Sequence, residues 1–359
     1  MKRIMHRASL LFLLLILSCS GSGDDEGQNN EYIDLFISST TGFVGETIIF
    51  SVFDGEGNNV STSADFYVNE VKIASNTHTF NNTGTYTVYA KFGQLTSETK
   101  TVEIMETPIT FKQNVVVEDF TGTWCGWCPR VSEAVRLLKQ QTSDAIVIAI
   151  HNGDAMQFSQ EGTIRAAFNV TGFPTALINR QERWASPQPS NVSQVTGKMS
   201  GKSYASVAME SSVSGDNLNL KVKVRMGYGY KTMKLAVYML EDGLVYDQRN
   251  FTSYYGSADP IRDFVHDDVL RRSLTNVFGD DLPTDQVGHD KIYTRDFVYS
   301  IPPNYDKSKV KLVAFVTTGS ERTIVNVRQS NLGETQDFQP LDEWKNVLIF
   351  MGNPTKNRW

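Results

Sequence analysis

The sequence predicts a chain of several domains: a β-sandwich, a central α/β unit and a C-terminal β-rich, sandwich-like part. Three observations predict it. Residues 32–106 hold short runs of alternating apolar and polar residues cut by turn signals. Residues 107–202 alternate uniformly apolar runs with segments of helical spacing. Residues 203–359 return to the two-residue alternation. A length of 359 residues accommodates two or three such domains, each with its own core.

Ahead of these parts stands a targeting segment. Lys2, Arg3 and Arg7 precede the apolar run Leu10–Leu17, which is far shorter than the roughly 20 residues of a membrane-spanning helix. A basic start, a short apolar stretch and then a small residue form the pattern of an export signal, here 1–18. Ile16-Leu17-Ser18-Cys19 resembles a bacterial lipoprotein box, which implies that Cys19 is acylated and becomes the new N-terminus. The polar, acidic stretch 19–31 then reads as a flexible tether. No later stretch is apolar enough to span a bilayer, so the remainder reads as soluble.

In 32–106 the strands are expected at Thr47–Phe53, Ala64–Val68, Thr85–Phe92 and Thr99–Ile104. The run Gly84-Thr85-Tyr86-Thr87-Val88-Tyr89-Ala90 resembles a late strand of bacterial immunoglobulin-like modules, which makes this an immunoglobulin-like β-sandwich. Asp54, Glu56 and Asn58 echo a calcium loop but lack its downstream bidentate Glu, so they read as a solvated turn. In 107–202, Val115-Val116-Val117 and Ile146–Ile150 read as strands buried on both faces. Val131, Val135 and Leu138 mark a helix after Cys125, and Gln160–Phe168 marks a second. Thr175–Ile178 is a third strand, and a short helical piece runs to about Lys202. Beyond it, strands are expected at Ala205–Val213, Leu218–Arg225, Met233–Leu240, Leu244–Arg249, Ile292–Ser300, Val310–Thr317 and Thr323–Val327. Phe264–Phe278 interrupts them with helical spacing and reads as a helix or ordered loop.

Composition narrows the function classes. With 34 Lys+Arg against 40 Asp+Glu the net charge is −6, and no basic stripe stands out, so nucleic acid is not an expected partner. Of three cysteines, Cys19 would be consumed by lipid. Cys125 and Cys128 are two residues apart, too close to staple a large fold, and read as a redox or metal pair. A zinc site would need two further Cys or His at ligand spacing, and none is placed there, so no metal is expected. His151 reads as a strand-end loop residue, and His266 with Asp267 and Asp268 as a polar helix face. Tyr254-Tyr255 and Trp344 read as core or inter-domain packing.

The chemistry concentrates in Trp124-Cys125-Gly126-Trp127-Cys128-Pro129, where a buried strand turns into a helix. A cysteine at a helix N-terminus faces unpaired N–H groups and the positive end of the dipole, which favours thiolate. One helical turn brings the two sulfurs to disulfide distance, with the first exposed to attack and the second behind it to resolve. Pro129 suits the first turn, where its missing N–H has no partner to lose.

These residues resemble the thioredoxin family over about 95 residues. Asp119, six residues before Cys125, matches the family's buried acid, which implies proton transfer with the resolving Cys128. Trp124 matches the Trp before the motif, and Gly172-Phe173-Pro174-Thr175 matches the cis-proline loop that meets extended substrate. The implied substrate-binding set is therefore Trp124, Gly126, Trp127, Phe173 and Pro174. Gly126-Trp127 departs from the family's usual pairs between the sulfurs, and an indole brings no charge to a thiolate. The whole layout also resembles a family of Gram-negative outer-membrane lipoproteins with a central thioredoxin-like domain and β-rich flanks. The resemblance implies an envelope location with a lipid anchor in the outer membrane. It also implies thiol–disulfide exchange on extracytoplasmic proteins, with a redox partner protein and no bound cofactor. A surface binding or adhesion lipoprotein, with the thioredoxin fold as scaffold and a static disulfide, is the alternative.

Overall fold

The computed structural model describes residues 32–318 and 322–341. The expected signal peptide, Cys19, the tether and Trp344 lie outside them. The chain forms two compact units that divide after Met105.

The first unit is a sandwich of two sheets. One pairs Ile33–Ile37 with Thr47–Asp54 and Thr77–Thr79. The other runs through Thr41–Phe43, Lys100–Met105, Gly84–Phe92, Asp65–Val68 and Val71–Ile73, with Leu95–Thr96 on its flank. Alternate residues of each strand point inward, so Ile48, Phe50 and Val52 from one sheet meet Phe66, Val88, Ala90 and Val102 from the other. The Phe50 and Phe66 rings lie 5.9 Å apart at its centre. The strands expected from alternation are all present. Asp54 spends its carboxylate inside its own turn, accepting from the Glu56 and Asn58 amides at 3.0 and 2.8 Å.

In the second unit, the described residues of 107–202 and 203–341 are built into one body around a nine-stranded sheet. From one edge it runs Glu182–Arg183, Thr175–Ile178, Val115–Thr121 and Ala145–His151, the strands of the central α/β part. It continues without a break into Val269–Ser273, Met233–Glu241, Val310–Thr318 and Ile324–Asn331, with Asp280–Asp281 beside Met233–Glu241. The seam is the parallel pairing of Ala149 with Val269, reinforced by the Ala149 amide donating to the Asp268 carbonyl at 2.8 Å. Val115–Thr121 and Ala145–His151 run parallel, and Thr175–Ile178 runs antiparallel to the first.

Both faces of the sheet are covered. Helix α1 (Pro129–Gln141) lays Val131, Ala134 and Leu138 on Val115, Val117 and Val147. Helix α2 (Glu161–Ala167) puts Ile164 into the opposite face, with Val116, Phe120 and Ile148. That same face continues into Ala236, Tyr238 and Leu240, whose strand neighbours Leu235, Val237 and Met239 point the other way. There they meet a three-stranded sheet of Ala205–Ser214, Asn217–Met226 and Ile292–Ser300, which forms the C-terminal sandwich.

The helix or loop expected over Phe264–Phe278 is instead two strands, Ile261–His266 and Val269–Ser273. Asp268 sits between them at φ +58°, a turn that no helix passes through. Val265 is exposed while Val269 and Leu270 are buried, so the helical spacing of these residues marks no common face.

Candidate active site

The strand Val115–Thr121 is buried at every position and delivers the chain to the tip of the sheet. There the Cys125 amide donates to the Gly122 carbonyl at 3.0 Å, and the Cys128 amide to the Cys125 carbonyl at 3.1 Å. These turns bring the chain round to α1, with Cys128 at the N-cap and Pro129 as first helical residue. Cys125 and Cys128 are joined as a disulfide.

Most of the expected site residues come together here. Trp124 donates its indole N–H to the Asn152 carbonyl at 2.7 Å and meets the Phe173 ring edge-on at 5.3 Å. That contact places the Phe173–Pro174 loop, whose peptide bond is cis, against the motif. Gly122 and Gly153 leave room for the indole, since a Cβ on either would lie within about 3 Å of its nitrogen. Trp124 and Trp127 both remain about half exposed.

Cys125 departs from expectation. It was to be the exposed sulfur, yet the residue is only 4% exposed and Cys128 1%. A strap between the strands Leu244–Gln248 and Ile261–His266 lies on the turn that carries it. Gln248 donates its side-chain amide to the Cys125 carbonyl at 3.0 Å. The Phe251 amide donates to the Gly126 carbonyl at 2.7 Å, and the Phe251 ring meets Trp127 at 6.0 Å. Gln248 and Phe251 were not legible as site residues, because Gln248 falls in the expected strand Leu244–Arg249 and no local pattern marks Phe251. The one available signal was the pair of aromatics at Tyr254-Tyr255, of which Tyr254 lines a groove with Trp127 and Phe251.

Asp119 points into a cavity of about 640 Å³ behind α1, walled by Val135, Val147 and Phe264. It is 5% exposed, and its Oδ1 has no hydrogen-bond partner among the described residues. Burial, and after it the negative charge of Asp268, pushes the Asp119 carboxyl up to about 7. The carboxyl therefore changes charge near neutral pH, as an acid–base group must.

His266 faces the same cavity, and its Nε2 has no hydrogen-bond partner among the described residues. Burial, and then the proximity of His151, pulls it down to about 4, so it stays neutral. His151 is buried rather than a loop residue, with Nδ1 2.8 Å from the Asp154 carboxylate. Its partner stands three residues along on the turn that follows the strand, which lets the polar ring be satisfied out of water. Asp268 sits in ion pairs with Lys139 and Lys311, each at 2.5 Å. The Asp268 carboxylate is thus engaged by two lysines, and no cluster of metal-ligating side chains occurs among the described residues.

Comparison with known proteins agrees with this construction. Residues 96–202 match the thioredoxin family model, and residues 161–336 match that of outer membrane protein Omp28. The second match crosses from the α/β part into the C-terminal strands, as the continuous sheet does. No curated protein matches the chain. Among solved structures, HBP35 of Porphyromonas gingivalis is 20% identical, with TM-score 0.51, over 63% of this chain and 77% of that one. A domain of the outer membrane lipoprotein Omp28 from Porphyromonas gingivalis is 14% identical, with TM-score 0.25, over 37% and 92%. The first of these shares the fold. Over these residues the chain is similar to the outer membrane protein Omp28 family and to the thioredoxin family, a likeness that supports a place in the cell envelope.

Proposed function

We propose that this protein is a lipid-anchored thiol–disulfide oxidoreductase acting on extracytoplasmic proteins. Cys125 is the nucleophile, Cys128 resolves the mixed disulfide, and Asp119 exchanges the proton. The observation that carries this reading is the disulfide at the start of α1, preceded by the unpartnered, proton-holding carboxyl of Asp119. When the pair accepts electrons, a partner thiolate attacks Sγ of Cys125 and breaks its bond to Cys128. A second partner thiolate then displaces Cys125, so the partner leaves as a disulfide and the pair as two thiols. No bound cofactor enters these steps; a redox partner protein must reset the pair.

In the full-length protein, Cys125→Ser is expected to abolish exchange with a model protein disulfide. Cys128→Ser is expected to retain substrates as mixed disulfides visible on non-reducing gels. The burial of both cysteines favours a second reading, a binding lipoprotein with a static disulfide. A reduction potential below about −300 mV selects that reading, and one between about −270 and −120 mV selects the redox reading.

The anchor is tested separately. One acyl chain binds membranes only marginally, so stable attachment needs the several chains of a mature lipoprotein. Expressed in a Gram-negative host, the protein is expected to incorporate fatty acid and enter detergent, and Cys19→Ser to lose both. A Ser variant that still incorporates label removes Cys19 from the assignment.

A further inference from the structure

We propose that the strap Gln248–Phe251 is the specificity element of the redox pair, with Phe251 confining Cys125 to cysteines carried on extended, unfolded polypeptide. This rests on the redox reading above and names the substrate class of that site.

The strap is a built structure. Asn250 accepts from the Thr252 amide and hydroxyl at 2.9 and 2.7 Å and donates to the Gly256 carbonyl at 3.1 Å. Asp259 accepts from the Asn250 amide and from both Nε and Nη2 of Arg249, each at 2.9 Å. The strap so held occupies the outward carbonyls of the motif turn. The Arg249 amide takes Thr123 at 2.8 Å, Phe251 takes Gly126, and Gln248 takes Gly122 and Cys125 at 3.3 and 3.0 Å. Four carbonyls of the motif turn are thereby engaged by the strap rather than open to a partner's backbone.

The Phe251 ring fills the space over Gly126. A Cβ built on Gly126 would stand 2.4 Å from the ring, while its φ lies outside the left-handed region, so the ring is what demands glycine. Two aromatic pairs thus flank the disulfide, Trp127 with Phe251 and Trp124 with Phe173. Between them Cys125 is almost out of contact with water. A cysteine on a folded surface must bring its neighbouring surface down onto half-exposed rings to reach the sulfur. A cysteine on an extended chain enters between them.

In the reaction a peptide with two thiols gives up two electrons and two protons. One peptide thiolate attacks Sγ of Cys125 and frees Cys128. The second closes the peptide disulfide and frees Cys125, and the two protons finish on the two freed sulfurs.

The test mixes the oxidised full-length protein in detergent with an unstructured dithiol peptide or with a reduced, folded thioredoxin. Rates are read by acid quenching, alkylation of the freed Cys125 and Cys128 and separation of the two forms on gels, and are normalised to each reagent's rate with oxidised glutathione. Removing one edge-on ring contact in Phe251→Ala is expected to speed the folded reagent about tenfold and the peptide less than about threefold. Phe251→Leu keeps an apolar cover and is expected to fall between, which separates access from loss of folding. Equal acceleration of both reagents, or of neither, overturns the proposal. If neither reagent reduces the pair in wild type or variant, the redox reading itself falls, and the strap's role with it.

Discussion

Asp119→Asn is expected to make the protein more stable at pH 8 and slower in exchange at the same pH. The carboxyl keeps its proton to about 7 in the fold, against 3.8 as its ordinary value. Between those values the folded state binds more protons than the unfolded one, so this group's contribution to stability falls as pH rises through that window and levels off above about 7. At about 1.4 kcal/mol per pH unit, the ionised form costs up to about 4 kcal/mol, which the amide does not pay. His266 works in the opposite direction. Its folded value near 4 lies below its ordinary 6.5, so its contribution rises as pH climbs through that interval. In wild type the two slopes oppose each other up to about pH 6.5, and only the Asp119 loss is left between there and about 7. In Asp119→Asn the opposing Asp119 slope is gone, so stability should climb from about pH 4 to 6.5, His266 adding to carboxylates held low such as Asp154, and then stay flat. Denaturant midpoints of both proteins from pH 4 to 9 check this, and equal midpoints at pH 8 would show an unpenalised carboxyl. Losing a positioned acid–base group should slow exchange by about 10²-fold or more. More stability with less activity is the signature of a group kept for chemistry.

The parts legible in the sequence are those whose signal is local. Two-residue alternation located strands such as Thr47–Asp54 and Asn217–Met226 to within a residue or two, because one buried face imposes that period. The motif and its helix were legible because Pro129, the apolar spacing of Val131 and Leu138, and the buried strand before them are contiguous. What was not legible depends on partners far along the chain. Phe251 matters only because it lies on Gly126, and the intervening residues carry no mark of that contact. His151 is buried beside His266, 5.2 Å between rings, through a pairing of strands that the residues around either one do not announce. Val265, Val269 and Leu270 show helical spacing by coincidence, because a left-handed Asp268 separates a strand of a two-stranded sheet from an inner strand of the nine-stranded one. The same limit hid the continuous sheet, since one parallel register pair, Ala149 with Val269, joins its two halves.

That continuity sets up the largest expected loss of stability, at Glu118 and Arg180. Their side chains are 1% and 0% exposed, and Arg180 donates from Nε to both Glu118 oxygens at 3.0 Å and from Nη2 at 2.6 Å. Nη2 also donates to the Tyr238 hydroxyl at 3.0 Å, and the guanidinium lies 4.8 Å from the Phe315 ring. Glu118 and Arg180 belong to the α/β part, Tyr238 and Phe315 to the C-terminal strands. The cluster therefore ties the two segments together inside one core. Removing one charge strands the other in a medium that cannot solvate it, so Glu118→Ala or Arg180→Ala should each cost about 3–5 kcal/mol. Replacing both by apolar residues of similar size, Glu118→Leu with Arg180→Met, should cost much less than either alone. The stranded charge is then gone, and so is Nη1 of Arg180, which has no hydrogen-bond partner among the described residues. Tyr238 would keep its own bond to the Val277 carbonyl. Denaturant unfolding of the full-length proteins, closed as a double-mutant cycle, measures this coupling. The unfolding should also report on the shared sheet. Of the five tryptophans, Trp124, Trp127 and Trp184 belong to the α/β part, so with Trp344 and Trp359 replaced by Phe the fluorescence reports on that part, whereas far-ultraviolet dichroism is dominated by strands. The part of the dichroism change that belongs to the second unit should move with the fluorescence in every variant. A C-terminal transition left behind at wild-type midpoint in the Glu118 variant would mean that the halves of the sheet unfold independently, against the bonds that Arg180 sends across them.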